Sequence, residues 1–317
     1  MASAEGGPGN ETVALVANPH SRKARRDPKY LEKLERAFGE RGLFVSSPAA
    51  GALSQVMADV FRARPSVLFI SGGDGTLRQC LTHLIAAYGD EPLPKIAILR
   101  GGTMNTVATS LGIRGDAITQ LKAILDRRDR RVPATIVRRR MLSVNRHNGF
   151  IFGLGGFARF IEHYDAQNPT PFVAFKLLTR TVLSTIAKGP LASFFFQPFT
   201  AHVWRDGKPW LPETTVTNIS ASSIRHIGFH FKPFYGAEED GSFGVLVFRE
   251  LPRRLILHLP RLFLGHAVAD PSFLQVPAKS LLIKVGTPMR PMLDGDILKA
   301  DTSFEISNGP ELELVVA

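Results

Sequence analysis

Residues 66 to 88 limit the fold more than any other part of the chain. Ser66-Val67-Leu68-Phe69-Ile70 is a short apolar run rich in β-formers and reads as a buried strand. Ser71-Gly72-Gly73-Asp74-Gly75-Thr76 follows at once. Beyond it, Leu77, Leu81, Leu84, Ile85 and Tyr88 recur on one helical face. Strand, tight glycine turn and helix in that order bring backbone N–H groups together at a helix N-terminus, where the dipole favours an anion. Phosphate suits such a place, although Gly-Gly-Asp-Gly is also compatible with a plain turn. Asp74 is positioned to hold Mg²⁺ or a ribose hydroxyl. Thr76 either caps the helix or bonds a phosphate oxygen.

Around this stretch, strand and helix patterns alternate up to about residue 140. "TVALVAN" reads as a strand and "PHSRKARRDP" as a polar loop. A helix carrying Leu31, Leu34 and Phe38 is expected to end at Gly42. Then come "LFVSS", a helix around Leu53 to Phe61, the glycine turn with its helix, and "KIAIL". A second glycine turn, "RGGTMNT", opens another helix, and "DAITQLKAIL" makes one more. The alternation predicts an α/β fold with a doubly wound parallel sheet. In such sheets ligands bind beyond the carboxyl ends of strands, so the loops after residues 13–17, 66–70 and 95–99 are expected to face one crevice.

From about Met141 short strand-like runs predominate, among them "GFIFGLG", "SFFFQPFTAHVW", "TTVTNIS", "FGVLVF" and "SLLIKV". Apolar helical stretches interrupt them at Pro171 to Lys188 and Leu251 to His266. Phe194-Phe195-Phe196 reads as strand core. The expected organisation is a disordered tail over 1–12, an α/β domain over 13–138 and a β-rich domain over 139–304. A terminal strand, 305–317, either stays with the second domain or returns to the first.

At 317 residues and 44% hydrophobic content the chain can bury two cores. Its start lacks the basic and apolar regions of a signal peptide. The single cysteine, Cys80, has no internal disulfide partner, which points to a reducing, cytoplasmic setting. A net charge of +11 with arginine clusters at 22–26, 127–131, 138–140 and 253–254 suits an anionic membrane surface or a polyphosphate ligand. No zinc spacing, helix-turn-helix pattern or RNA-binding aromatic signature accompanies it, so no nucleic-acid partner is expected. His163, His226, His230 and His266 lack metal-ligand spacing. The segment "RRLILHLPRLFLGH" reads as a core helix or as a membrane-facing lip of a lipid pocket.

Taken together, the motifs resemble the catalytic domain shared by diacylglycerol, sphingosine and ceramide kinases, above all the soluble bacterial lipid kinases. "NPHSRK" at 18–23 is similar to the family's first loop, "GGDGT" at 72–76 to its nucleotide loop and "RGGTMNT" at 100–106 to its Gly-Thr-x-Asn loop. "LDGD" at 293–296 resembles the late Asp-Gly-Glu motif, and "EEDGSFGVLVF" a strand of the second domain. The likeness spans nearly the whole chain after residue 12.

The resemblance implies an α/β nucleotide domain, a β-rich lipid-binding domain, and transfer of the ATP γ-phosphate to a lipid hydroxyl with Mg²⁺. Gly72, Gly73, Asp74, Gly75 and Thr76 would line the phosphates, with Asp74 also at the metal. Asn18, Ser21, Arg22 and Lys23 would belong to the first loop, its cations drawing phosphate charge, and Thr103 and Asn105 would contact nucleotide. Asp296 would take the proton of the lipid hydroxyl, while Asp294 would orient the loop or bind metal. The chain departs from the pattern with aspartate for glutamate at 296, Arg22 for glycine, and Thr106 where bacterial diacylglycerol kinases usually carry aspartate. Thr106 leans towards a ceramide or sphingoid acceptor over diacylglycerol. Two other readings use the same residues. An NAD kinase also has a Gly-Gly-Asp-Gly-Thr loop, but the only Asn-Glu pair here is Asn10-Glu11. A non-catalytic nucleotide- or lipid-binding regulator is the other. The oligomeric state is open.

Overall fold

The computed structural model describes residues 12–46, 50–102, 105–167, 170–227, 231–239, 241–250 and 255–316. The expected tail before residue 12 lies outside them. The chain divides into two compact units, Met1–Arg138 with Leu312–Ala317, and Arg139–Glu311.

The first unit runs β1 (Val13–Ala17), α1 (Arg22–Arg26), α2 (Tyr30–Phe38), β2 (Gly42–Ser46), α3 (Leu53–Ala63), β3 (Val67–Gly72), α4 (Asp74–Tyr88), β4 (Lys95–Arg100), α5 (Thr106–Ser110) and α6 (Ala117–Asp129). Its strands are parallel in the order β2-β1-β3-β4. Every residue of β1 and β3 is buried, as the unbroken apolar runs require of strands covered on both faces. Leu15, Phe69 and Leu99 pack against Leu34, Phe38 and Leu121 from the helices. Two local expectations are corrected. The polar segment after β1 contains a helical turn, α1, because Ser21 caps it by accepting from the Ala24 N–H (3.4 Å). Gly39, not Gly42, ends α2: its N–H bonds to the Glu35 carbonyl, and Gly42 already opens β2.

β5 (Thr135–Val144) leads into the second unit, which continues β6 (His147–Gly149), β7 (Ile151–Gly155), α7 (Gly156–Asp165), α8 (Pro171–Ala187), α9 (Pro190–Phe195), β8 (Phe199–Arg205), β9 (Lys208–Val216), β10 (Asn218–Ser222) and β11 (Phe243–Phe248). It closes with α10 (Leu255–Leu264), β12 (Phe273–Ala278), β13 (Ser280–Met289), β14 (Met292–Leu293), β15 (Asp296–Ile297) and β16 (Asp301–Val316). One sheet has the order β12-β11-β10-β7-β14-β15, and in the other β13 lies between β16 and β8. Phe152, Ile219 and Val245 of the first meet Val203, Ile283 and Phe304 of the second in one core. Phe248 and Phe273, on the first sheet's other face, pack with Leu262 of α10. From Leu312 onward β16 belongs to the first unit, where Leu314 pairs in parallel with Ile96 of β4.

One further expectation fails here, and one helix was not expected. Phe194 and Phe195 lie in α9 and Phe196 caps it, because Pro190 at the first helical turn starts a helix inside what read as one long strand. The helix α7 gave no warning: it begins at Gly155 without a side-chain cap, directly after an apolar strand. Among the described residues, no helix is long and apolar enough to cross a membrane.

The loops at the carboxyl ends of β1, β3 and β4 are bonded to one another. The Gly101 N–H donates to the Gly72 carbonyl (2.8 Å), the Lys23 N–H to the Gly101 carbonyl (3.2 Å) and the Asn18 N–H to the Ser71 carbonyl (2.9 Å). The two glycine turns touch backbone to backbone, and a Cβ on Gly102 would fall 2.3 Å from the Gly73 Cα. Gly102→Ala is therefore predicted to lower stability by about 1–3 kcal/mol, the usual cost of overpacking. Urea unfolding checks this; an unchanged midpoint would mean that the turns do not touch.

Candidate active site

The first candidate site is the N-terminus of α4. Its cap is Gly73, and no side chain caps it, so the first-turn N–H groups lack the partner that a Ser, Thr or Asp cap would provide. Thr76 is not that cap: its Oγ1 accepts a hydrogen bond from Asn18 Nδ2 (2.8 Å), which ties the first loop to the second. The Asn18 Oδ1 in turn accepts from the His20 N–H (2.8 Å). Ile70, Leu77, Ile98 and Ala108 line the apolar side of a small cleft here, with Gly72, Gly73, Asp74 and Asn105.

Gly72, Gly73 and Gly75 hold their places for different reasons. A Cβ on Gly72 would strike the Thr76 side chain (2.5 Å), and one on Gly73 would press on the Gly102 Cα (3.1 Å). Around a Cβ on Gly75 there is open space. A glycine in a helix costs about 0.5–1 kcal/mol relative to alanine. The fold gains nothing from that loss, whereas close approach of a ligand to the backbone would.

Asp74 sits in the first turn of α4 and reaches across to α5. Its carboxylate accepts from the N–H groups of Thr106 (3.0 Å) and Val107 (3.3 Å), serving as the cap that Asn105 does not supply. Burial pushes the Asp74 carboxyl above the usual carboxylate range, against the pull of these N–H groups and of the Thr106 hydroxyl. Asn105 has left-handed backbone (φ 49°), and its side chain clamps Gly102, accepting from its N–H (3.0 Å) and donating to its carbonyl (3.1 Å). Thr103 lies outside the described residues. In the first loop Ser21 is a buried helix cap and Arg22 is half-buried in the first turn of α1. Lys23 Nζ pairs with Asp116 (2.6 Å), the cap of α6. The partners are 35% and 50% exposed, so the pair adds little stability and leaves the lysine able to exchange partners.

The second candidate site is "LDGD" in the second unit. β14 and β15 form a hairpin with Leu293 opposite Asp296. Its two-residue loop, Asp294-Gly295, has φ of 51° and 92°, the positive values that a primed hairpin turn requires. The Asp294 carboxylate accepts from the N–H groups of Phe150 (2.9 Å) and Ile151 (2.8 Å), and thereby locks the hairpin to the start of β7. Asp294 is a staple. Asp296, half-buried, leaves this turn beside α7. There it meets Asp165, which the sequence reading missed. Asp165 keeps solvent on one side; partial burial and then the negative charge of Asp296 raise its carboxyl above the usual range. Nothing in the sequence linked the two, because α7 itself was not recognisable. Arg290 bonds Glu162 of α7 (2.5 Å) and steadies the same corner. Among the described residues no group of three His, Cys, Asp or Glu gathers to hold a metal, and Asp240 lies outside them.

Two outcomes follow from this geometry. Gly75→Ala should hold or raise the melting temperature and weaken binding of ATP; unaltered ATP affinity would remove the ligand's claim on this backbone. Asp74→Asn replaces one acceptor by a donor facing an N–H, a loss of about 1.5–3 kcal/mol, less what the buried charge returns. Because the folded-state value of Asp74 lies above its unfolded value, its proton linkage stabilises the wild type increasingly as pH falls through that window. The stability gap between wild type and Asp74→Asn should therefore shift in favour of wild type on acidification. Melting curves of both proteins from neutral pH downward test this, and a gap constant with pH would contradict it.

Residues 12–137 match the diacylglycerol kinase catalytic domain. No curated protein sequence matches the chain. Among solved structures, the chain is similar to a diacylglycerol kinase from Bacillus anthracis strain Sterne, with a TM-score of 0.69, 16% identity and 97% of each chain covered. Two further structures from that strain, of proteins proposed as diacylglycerol kinases, have TM-scores of 0.71 at 17% and 16% identity, again with 97% of each chain covered. At such identity the likeness establishes the shared fold. The matched residues, 12–137, carry the glycine turns and the open end of α4.

Proposed function

We propose that the protein is an ATP-dependent lipid kinase that transfers the γ-phosphoryl group to a hydroxyl of a membrane lipid. The uncapped N-terminus of α4, with a glycine at 75 that the fold does not need, carries this reading. Phosphoryl transfer needs charge neutralisation, in-line positioning and a group that takes the alcohol's proton. The backbone N–H groups of Gly73 to Thr76 bind phosphate oxygens, Arg22 supplies a cation, and Lys23 adds a second on leaving Asp116. Thr103 and Asn105 complete the nucleotide side, Asn105 by fixing the Gly102 turn.

A Mg²⁺ ion would neutralise phosphate charge, and Asp74 is the carboxylate that would hold it. The Asp74 carboxylate accepts the N–H groups of Thr106 and Val107 and the Thr106 hydroxyl, and the acceptor capacity left over is what it would turn to the ion. That suits an ion held by one or two carboxylates, waters and substrate phosphates.

On the acceptor side the Asp296 carboxylate takes the hydroxyl proton as the lipid oxygen bonds to phosphorus and the bond to the departing ADP oxygen breaks. General-base help of this kind is worth about 10²–10⁴-fold. Asp165 keeps a second carboxyl beside it. The acceptor is ceramide or a sphingoid base ahead of diacylglycerol. Thr106 supports this order, since its hydroxyl faces Asp74 where an aspartate would set two carboxylates together and call for a further cation. The net charge favours work at an anionic membrane surface reached from the cytoplasm.

Purified protein incubated with γ-labelled ATP, lipid vesicles and, separately, NAD tests the reading. Label is expected in the lipid fraction. Label in the NAD arm alone, or in neither, would sink the proposal. Asp296→Asn should lower lipid turnover by about 10²-fold or more with ATP binding little changed. Asp296→Glu should retain activity. Wild-type turnover by Asp296→Asn would place the base elsewhere.

A further inference from the structure

The helix α8 is built inside out. Its face towards the protein carries Ala174, Leu177, Thr181 and Thr185, all buried. The two threonines tolerate burial because their hydroxyls donate within the helix, Thr181 to the Leu177 carbonyl and Thr185 to the Thr181 carbonyl (2.8 Å each). The larger apolar side chains face water. Phe172 is 72% exposed, Leu183 59%, Phe175 57% and Ile186 48%. At 100° per residue these four form one stripe opposite the buried face. Phe194 of α9, which packs against α8, is exposed as well.

The charge carried by α8 and α9 has one sign. From residue 166 to residue 205 the sequence has no aspartate or glutamate, while Lys176 and Arg180 stand at the edge of the stripe and Lys188 closes the helix. Glu162 on neighbouring α7 is paired with Arg290. A helix with apolar residues on one side, cations at the margin and too little length to span a bilayer matches the interfacial helices that lie in a membrane surface. Lysine and arginine at such an edge reach lipid phosphates while their stems lie along the apolar layer.

We infer that α8 is a membrane-docking element, which inserts Phe172, Phe175, Leu183 and Ile186 into the surface of an anionic bilayer and sets Lys176 and Arg180 against its headgroups. The choice of partner rests on the lipid-kinase reading. The segment at 251–266 singled out in the sequence is the competing surface. Its helix α10 exposes Leu257 and Leu264, while Arg253 and Arg254 lie outside the described residues.

Co-sedimentation of the full chain with phosphatidylcholine vesicles, with and without phosphatidylglycerol, measures docking in the absence of ATP. Wild-type binding should rise with phosphatidylglycerol and fall with salt. Phe172→Ser/Phe175→Ser and, separately, Lys176→Glu/Arg180→Glu should each weaken it roughly tenfold or more. Both pairs are exposed, so melting temperatures should hold. Undiminished binding by both variants would overturn the assignment, as would loss seen only in Leu257→Ser/Leu264→Ser. Absent vesicle binding, with a dimer in sedimentation velocity that Phe172→Ser/Phe175→Ser dissolves, would make the stripe an interface between copies and equally overturn it. Failure of turnover on every lipid would sink the kinase reading and leave the docking result standing.

Discussion

Contact between two glycine turns holds the loops of the first unit in place. Gly101 and Gly102 lie against Gly72 and Gly73 so closely that no side chain fits between, and one hydrogen bond, from Gly101 N–H to Gly72 carbonyl, sets the register. Other features depend on that approach. Asp74 reaches α5 because the turns touch, Asn105 holds Gly102 in the shape that permits it, and Asn18 secures Thr76 from the first loop. Partners are thus found for most polar side chains around α4. The end of α4 itself is left without a side-chain cap.

The same economy of carboxylates recurs in the second unit. Asp294 uses both oxygens on the backbone of Phe150 and Ile151, as Asp74 does on Thr106 and Val107, and Asp116 uses Oδ2 on Ile118 and Thr119. Each is an aspartate fixing a turn or a helix end. Asp296 differs: it follows its staple by two residues and faces another carboxyl, Asp165.

The sequence exposed the first unit well because its signals are local. Apolar runs of β1, β3 and β4, glycine turns after them and periodic helices identify a parallel sheet without knowledge of distant contacts. The loops that the alternation brings to one edge are joined there by hydrogen bonds. What stayed hidden depends on neighbours far along the chain. Asp74 and Thr76 read as ligands of phosphate or metal, and their bonds to Val107 and Asn18 emerge only from the fold. In the second unit α7 starts without a cap and α9 starts within an apolar stretch, so neither left a mark that periodicity could find. Asp165 was lost with α7. The inverted face of α8 was equally invisible, since a run of apolar residues does not say which side is buried.

Amide hydrogen exchange of the full chain, with and without Mg²⁺ and ATP, tests the central claim most directly, because the claim concerns backbone N–H groups. Exchange is predicted to slow on nucleotide addition across Gly73 to Leu77, at the open end of α4. Binding of ATP with no added protection in that segment would contradict the account.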